Sequence, residues 1–299
     1  MGAQLRALRS RIRSIKSTAK ITRAQELIAA SQISKAQERL AAAKPYAREV
    51  TQAVSAVISH HVNLKHALLN ENPDTSRVAI LLITSDRGFC GAYNHNVIKQ
   101  ADALAELVRE RGGEPVFYVT GSKGIDSFRF EKRPMAGEWS GFSGHPHYAV
   151  AAEIGEVLVE AFSMPTRDGG VGEVHVVYTE MISMLTQTRT VRRILPLAIE
   201  ESRLRRGERP PPTYEFEPTA SQVLDGLLKQ YVNGRIWHML LDSAASEHAA
   251  RRQAMMSATD NANDLVSNLT RQANMARQDE VTTELTEIVA GANALAEHR

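Results

Sequence analysis

The chain has 299 residues, 43% of them hydrophobic and 23% charged, with a net charge of +2. This is the composition of a soluble protein, and no apolar run is long enough to cross a bilayer, so any membrane role is expected to be peripheral. A single cysteine, Cys90, excludes an internal disulfide and a CxxC metal or redox pair, and it fits a reducing compartment. Aromatic residues make up only 5%, low for a compact chain but natural for one that is largely two-helix rod.

The first 25 residues contain no acid and carry Arg6, Arg9, Arg11, Arg13, Lys16, Lys20 and Arg23, with Ser10, Ser14 and Ser17 among them. Such a stretch also describes an organellar transit peptide, but no cleavage site ends it and the helical pattern continues to Lys44-Pro45. Leu5, Leu8, Ile12, Ile15 and Ala19 step by three and four, then Ile21, Ala24 and Ile28, then Ile33, Ala36, Leu40 and Ala43. This predicts an apolar seam that drifts between registers. The basic residues permit a nucleic-acid reading, yet the nearly neutral total and the absence of recognition motifs favour a protein or anionic-surface partner. Residues 46 to 70 continue as helix. His60, His61 and His66 near its end lack the i, i+4 spacing of a helical zinc site and are expected to be exposed.

The period changes in the middle of the chain. Val78 to Thr84 is an apolar run of strand length, followed by SDRGFCGAYN and a helical pattern from Asn96 to about Arg111. Val116 to Val119 predicts a second strand, and Gly121 to Gly124 turns into a short helix. Tyr148 to Phe162 reads as helix; Val174 to Thr179 and Thr190 to Leu197 read as strands, the last two suited to antiparallel pairing. The alternation predicts an open, Rossmann-like α/β sheet.

Two glycine-bearing turns, RGFCG and TGSKG, follow strands and open helices, where phosphates sit on free backbone amides. Neither matches GxGxxG or GxxxxGK[ST]. Lys123 is placed to meet a phosphate, Asp86 and Arg87 to form a loop ion pair, and Cys90 to be a buried structural thiol. His145-Pro146-His147 has no third ligand in view. No catalytic constellation stands out, and no cofactor or metal site is expected. Residues 164 to 173 read as a flexible surface loop, and Glu208 to Pro212 as a stiff connector.

From Pro218 to Arg299 the chain reads as one helix, about 120 Å long at 1.5 Å per residue. Pro218 suits a first turn, and Thr219 with Gln222 has capping-box spacing. Met255, Ala258, Ala262, Leu265, Leu269 and Ala276 predict a heptad-like seam that Gln272 interrupts, resumed at Val281, Leu285, Ile288, Ala292 and Leu295. Between the apolar rows, Arg251, Arg252, Asp260, Asn263, Asp264, Arg271, Arg277, Asp279, Glu280 and Glu284 predict a polar outer surface. The N-terminal helix is the expected antiparallel partner. The fold class is therefore α/β, a long antiparallel coiled coil of the terminal helices with an inserted Rossmann-like domain. Its expected parts are residues 1–72, 73–212 and 213–299.

IKSTAKITRA (Ile15 to Ala24), SDRGFCGAYN (Ser85 to Asn94), EHAARRQAMMSATDNA (Glu247 to Ala262) and ARQDEVTTELTEIVAGANAL (Ala276 to Leu295) resemble the gamma subunit of F-type ATP synthases, over essentially the whole chain. The resemblance implies a non-catalytic central rotor stalk that carries torque between the proton-driven c ring and a ring of three alpha and three beta subunits. The α/β domain is then expected against the epsilon subunit and the c ring. Implied beta-subunit contacts are Lys20, Arg23, Gln25, Glu247, Arg251, Arg277, Gln278 and Thr282, and implied c-ring contacts are Tyr214 and Glu217. Gln25 stands where the family commonly has methionine, and Met275 where it has lysine. The two-cysteine insertion of chloroplast relatives is absent, and the 164–173 loop is longer than usual, which reads as a tolerated surface insertion. A match that starts at the N-terminus disfavours a transit peptide and implies a bacterial subunit, peripheral at the cytoplasmic face of the plasma membrane. The competing readings are a nucleotide-binding α/β enzyme with helical oligomerisation arms and a basic coiled-coil nucleic-acid binder.

Overall fold

The computed structural model describes residues 2–60, 67–69, 75–197 and 220–297. The helices are α1 (Gly2–His60), α2 (Tyr93–Glu110), α3 (Ser122–Phe130), α4 (Tyr148–Ser163) and α5 (Ala220–Glu297). The strands are β1 (Arg77–Ile83), β2 (Glu114–Thr120), β3 (Gly137–Trp139), β4 (Glu173–Met181) and β5 (Gln187–Leu195). The chain forms two compact units, Met1–Ala29 with Arg252–Arg299, and Ala30–Arg251.

In the first unit the N-terminal part of α1 runs antiparallel to the C-terminal part of α5. Thr22 and Thr259 share a 2.7 Å hydroxyl contact, while Gln4 and Leu8 line a groove with Gln272, Met275, Ala276 and Asp279. On α1 the inward row is Leu5, Leu8, Ile12, Ile15, Ala19, Thr22, Glu26 and Ala29, a strict alternation of three and four. The expected drift through Ile21, Ala24 and Ile28 does not occur: all three are exposed, and Thr22 and Glu26 take their places. Glu26 is tolerated in the seam because Arg23 binds both its oxygens, at 2.8 and 2.7 Å, from the solvent edge. On α5 the inward row is Met255, Thr259, Ala262, Val266, Leu269, Ala273 and Ala276, with Ala258 half-buried beside it. Leu265 faces outward, and Gln272 interrupts nothing because Ala273 carries the row past it. Val281, Leu285 and Ile288 do not resume the row; they are exposed, as is Val289.

In the second unit a five-stranded sheet has the order β3-β2-β1-β4-β5, parallel except for the antiparallel β4–β5 pair. The short β3 escapes sequence reading, since three residues are too few for a period. Alternation along the strands separates two cores. Ile80, Leu82, Phe117, Val119 and Val177 pack with Val97, Ala101 and Ala105 of α2 and Ile125 and Phe128 of α3. On the other face Ala79, Leu81, Ile83, Val174, Val176 and Tyr178 meet Ile154 and Leu158 of α4, Leu224, Leu228, Val232 and Ile236 of α5, and Val50 and Val54 of α1. Here too α1 and α5 are antiparallel neighbours, with Tyr46 donating to Gln230 at 3.5 Å.

The 164–173 segment is tied down rather than loose. It contains a 3-10 turn at Thr166–Asp168, buries Val171, and bonds Gly172 N–H to the Arg77 carbonyl and Val171 N–H to the Ala161 carbonyl. Pro218, Thr219, the Glu208 to Pro212 connector, His61 and His66 lie outside the described residues, as does the His60 side chain.

Candidate functional site: a helix seated in the sheet crevice

Strand order reverses between β1 and β4, and in open α/β sheets the crevice beyond the carboxyl ends of such strands is where ligands bind. Here that crevice holds part of the chain itself. From Met239 to Ala249 every residue of α5 is buried, around its full circumference. The small side chains of Ser243, Ala244, Ala245, Ser246 and Ala249 permit that close approach. Ser246 donates to the Thr179 carbonyl of β4 at 3.1 Å, and the Tyr93 hydroxyl at the start of α2 donates to the Ser243 carbonyl at 3.2 Å. Burial raises the Tyr93 hydroxyl pKa, so it remains a donor.

In the TGSKG turn the backbone donors at the start of α3 are already bonded within the chain. Asp86 Oδ1 accepts from the backbone N–H of Ser122 at 2.9 Å and from its hydroxyl at 3.1 Å, and Oδ2 accepts from Ser143 N–H at 2.8 Å. Burial alone would raise this carboxyl, but donors from Gly141, Ser143 and Ser122 outweigh it and hold it below the ordinary carboxylate value. The N–H of Lys123 bonds the Ser85 carbonyl and that of Gly124 the Thr84 hydroxyl, so the first turn of α3 has spent these donors. Gly121, at φ +90°, has no room for a side chain, since a Cβ there would lie 2.4 Å from the Thr84 carbonyl oxygen. The expected Asp86–Arg87 ion pair is thus replaced by a carboxylate bonded to N–H groups. Lys123 pairs with Asp126 of its own helix at 3.6 Å.

Arg251 and Glu247 are the largest departure from the sequence reading, which put Arg251 on a polar outer face. Glu247 is 2% exposed and Arg251 9%. Arg251 Nη2 meets Glu247 Oε1 at 2.6 Å and the Arg87 carbonyl at 3.2 Å, and its Nε reaches the Gly88 carbonyl at 3.4 Å. Burial pushes the Glu247 carboxyl up while Arg251 beside it pulls it down. The Ser143 hydroxyl accepts from Asp86 N–H at 2.8 Å. His248 sits beside this pair with Nε2 donating to the Gly144 carbonyl at 3.1 Å; burial depresses it to about 4, so it is neutral at physiological pH. His145 contacts Arg39 at 3.3 Å and the His248 ring at 5.9 Å between centroids. Cys90 is buried against Ser85 and Asn94, and burial raises its thiol pKa. Among the described residues no cluster of His, Cys, Asp and Glu is arranged to hold a metal.

The other expected contact residues are elsewhere. Lys20, Arg23 and Gln25 of α1 and Arg277, Gln278 and Thr282 of α5 are exposed in the first unit. Among the described residues no side-chain bond or ion pair engages Arg277 or Gln278, whereas Arg23 is committed to Glu26. Tyr214 and Glu217 lie outside the described residues.

Fold and site define a class: an antiparallel two-helix protein carrying an α/β domain whose ligand crevice is closed by its own helix. Residues 4–295 match the family model described as ATP synthase. The chain is 54% identical over 299 residues to the ATP synthase gamma chains of Acidothermus cellulolyticus and of Thermobifida fusca, in each case covering 99% of this chain and 98% of the relative. Among solved structures it is similar to a chain of the Euglena gracilis mitochondrial ATP synthase in an OSCP/F1/c-ring assembly, at TM-score 0.68 and 15% identity, covering 99% of this chain and 95% of that one. A chain of the central stalk and c-ring of the Tetrahymena thermophila mitochondrial ATP synthase aligns at TM-score 0.57 and 19% identity, over 80% of this chain and 99% of that one. The chain belongs to the ATP synthase gamma-chain family.

Proposed function

We propose that torque passes through this chain by way of α1 and α5, which alone connect its two units, at Ala29–Ala30 and Arg251–Arg252. The chain is the central-stalk subunit of an F-type ATP synthase. It assembles with the alpha and beta subunits, three of each, and with the c ring and the epsilon subunit. Residues 1–72 and 213–299 form the shaft and 73–212 the foot, which meets epsilon and the c ring, with Tyr214 and Glu217 on the c-ring side. No helix among the described residues is long and apolar enough to cross a membrane, which supports attachment through the c ring, at the cytoplasmic face of a bacterial plasma membrane.

The observation that carries this reading is the outer surface of the C-terminal part of α5. Val281, Leu285, Ile288 and Val289 stand 47 to 68% exposed beside Arg277 and Gln278, which make no side-chain bond or ion pair among the described residues. An apolar stripe of this kind calls for a surrounding partner, and Arg277 with Gln278 can make hydrogen bonds that form at one angle and break at the next. Lys20, Arg23, Gln25 and Thr282 belong to the same beta-facing set. Glu247 and Arg251 do not, because their polar atoms are consumed inside the second unit.

Chemistry resides in the beta subunits, and the chain supplies coupling between distant sites. In a reconstituted synthase, Arg277→Ala is expected to lower coupled ATP synthesis about tenfold, the effect of losing one charge-assisted hydrogen bond. Unchanged synthesis would refute its role.

A further inference from the structure

A helix whose surface is made of serines and alanines has low ridges, so apolar packing resists rotation about its axis weakly. Directional bonds are needed to set its angle. Residues 87–93, between β1 and α2, supply them from both ends. At one end the carbonyls of Arg87 and Gly88 accept from Arg251 at 3.2 and 3.4 Å; at the other the hydroxyl of the buried Tyr93 donates to the Ser243 carbonyl at 3.2 Å. Ser243 and Arg251 are eight positions apart, so the two holds lie about 12 Å apart along α5. The segment is braced at its base. Asn94 Oδ1 accepts from Ser85 N–H at 2.9 Å, Asn94 Nδ2 donates to the Ser85 hydroxyl at 2.8 Å, and Tyr93 N–H bonds the Cys90 carbonyl at 3.2 Å. Between the ends, Phe89 holds a positive φ of 59° while 81% exposed, a conformation that a non-glycine residue keeps only when its surroundings enforce it. Ser246 and His248 add bonds to the Thr179 and Gly144 carbonyls, both at 3.1 Å, from side chains that leave α5 about 160° apart. A turn of α5 by about 15° would shift a group roughly 5 Å from its axis by about 1.3 Å, enough to break such bonds.

We propose that residues 87–93 clasp α5 at two points, and that Tyr93 is the positioning residue that fixes the rotary angle at which this helix is seated in the α/β domain for torque transfer. Its bond differs in kind from those of Arg251. A guanidinium on a long stem follows its acceptors through small rotations, whereas the Tyr93 ring, with two side-chain torsions, is buried at the first residue of α2. It also reaches a main-chain carbonyl, so it reads the position of the helix backbone itself. That carbonyl lies inside α5 and keeps its intrahelical partner, so the tyrosine bond serves position rather than satisfaction. The proposal rests on the rotor reading and adds to it the joint through which the foot grips the shaft.

The test uses the reconstituted synthase with full-length chains carrying Tyr93→Phe, Ser246→Ala, both together, or Tyr118→Phe. Tyr93→Phe removes one oxygen, keeps the buried ring and strands no partner. Tyr118→Phe controls for loss of a hydroxyl from a buried tyrosine, since Tyr118, on β2, makes no side-chain hydrogen bond to α5 among the described residues. Tyr93→Phe is expected to speed amide hydrogen exchange in residues 243–251 about fivefold, the worth of one hydrogen bond. It is also expected to lower protons pumped per ATP hydrolysed about twofold against a steep proton gradient, while hydrolysis itself is kept. Ser246→Ala acts in the same direction, and the double variant falls below either single one. Tyr118→Phe leaves both readouts at wild type. Unchanged exchange at 243–251 in Tyr93→Phe, or an unchanged pumping ratio despite faster exchange, overturns the proposal. So does an equal fall in Tyr118→Phe, or a Tyr93→Phe chain that fails to assemble, since the hydroxyl would then serve the fold rather than the angle. A wild-type chain that fails to join alpha and beta at all overturns the rotor reading instead.

Discussion

Replacing Arg251 by methionine isolates the buried pair. The substitution keeps most of the apolar stem but leaves the Glu247 carboxylate, 2% exposed, without its cation, and leaves the Arg87 and Gly88 carbonyls without their donor. Removing one partner of a buried ion pair costs about 3–5 kcal/mol, far more than an exposed pair is worth. Replacing both partners, Glu247→Gln with Arg251→Met, removes the stranded charge and is expected to recover about half of that loss. Trp139 and Trp237 both belong to the Ala30–Arg251 unit, so tryptophan emission during urea unfolding reports on this unit. The single variant should also become less stable as pH rises, because Glu247, already raised by burial, then ionises with nothing to face. A single-variant loss below about 1 kcal/mol, or a double variant no more stable than the single, would refute the claim that this pair is buried and mutually dependent.

Two opposed titrations share one pH range. Burial and the Glu180 charge raise Asp242 from 3.8 to about 6, so its contribution to stability falls as pH rises through that interval. His248, depressed from 6.5 to about 4, contributes stability that is lost as pH falls through that interval. Asp242→Asn, which removes the buried charge at nearly constant volume, should therefore stabilise the chain at pH 7 by up to about 3 kcal/mol. It should also leave a steeper acid-side loss; no gain at pH 7 would refute the burial argument. The corrected seam predicts that Leu269→Ala, 4% exposed before substitution, costs about 2–4 kcal/mol, whereas Leu265→Ala, 39% exposed, costs under about 1, both read by circular dichroism during urea unfolding. Equal losses would restore the Leu265 register. Calorimetric titration of the isolated chain with ATP or ADP should give no saturable heat at the glycine turns, and tight binding would overturn the account of Asp86.

Strand and helix periods made the α/β domain legible, because Val78 to Thr84 and its successors repeat in ways that only a sheet with covering helices can use. The seam was misread where apolar identity and spacing disagreed: Ile21 and Ile28 attract the eye, while Thr22 and Glu26 continue the strict rhythm that begins at Leu5. Spacing was the better guide, and Arg23 three residues before Glu26 was the sequence signal for a neutralised acid. At the crevice, the i, i+4 spacing of Glu247 and Arg251 was visible, and so was the run of small residues before it. Their burial was not, since it follows from the Arg87 and Gly88 carbonyls, more than 160 positions away in sequence. Likewise nothing local to Asp86 announces Ser143, 57 positions on.

The unbroken three-four rhythm of the first unit has a mechanical corollary. Rows repeating every 3.5 residues on helices of 3.6 stay in register only if the two strands wind about each other with left-handed sense, by about 20° per heptad. Such a cable is not symmetric under load. A couple of one sense draws its plies together and loads the two buried rows against each other, while the reverse couple eases them apart, so synthesis and hydrolysis strain the same spindle unequally.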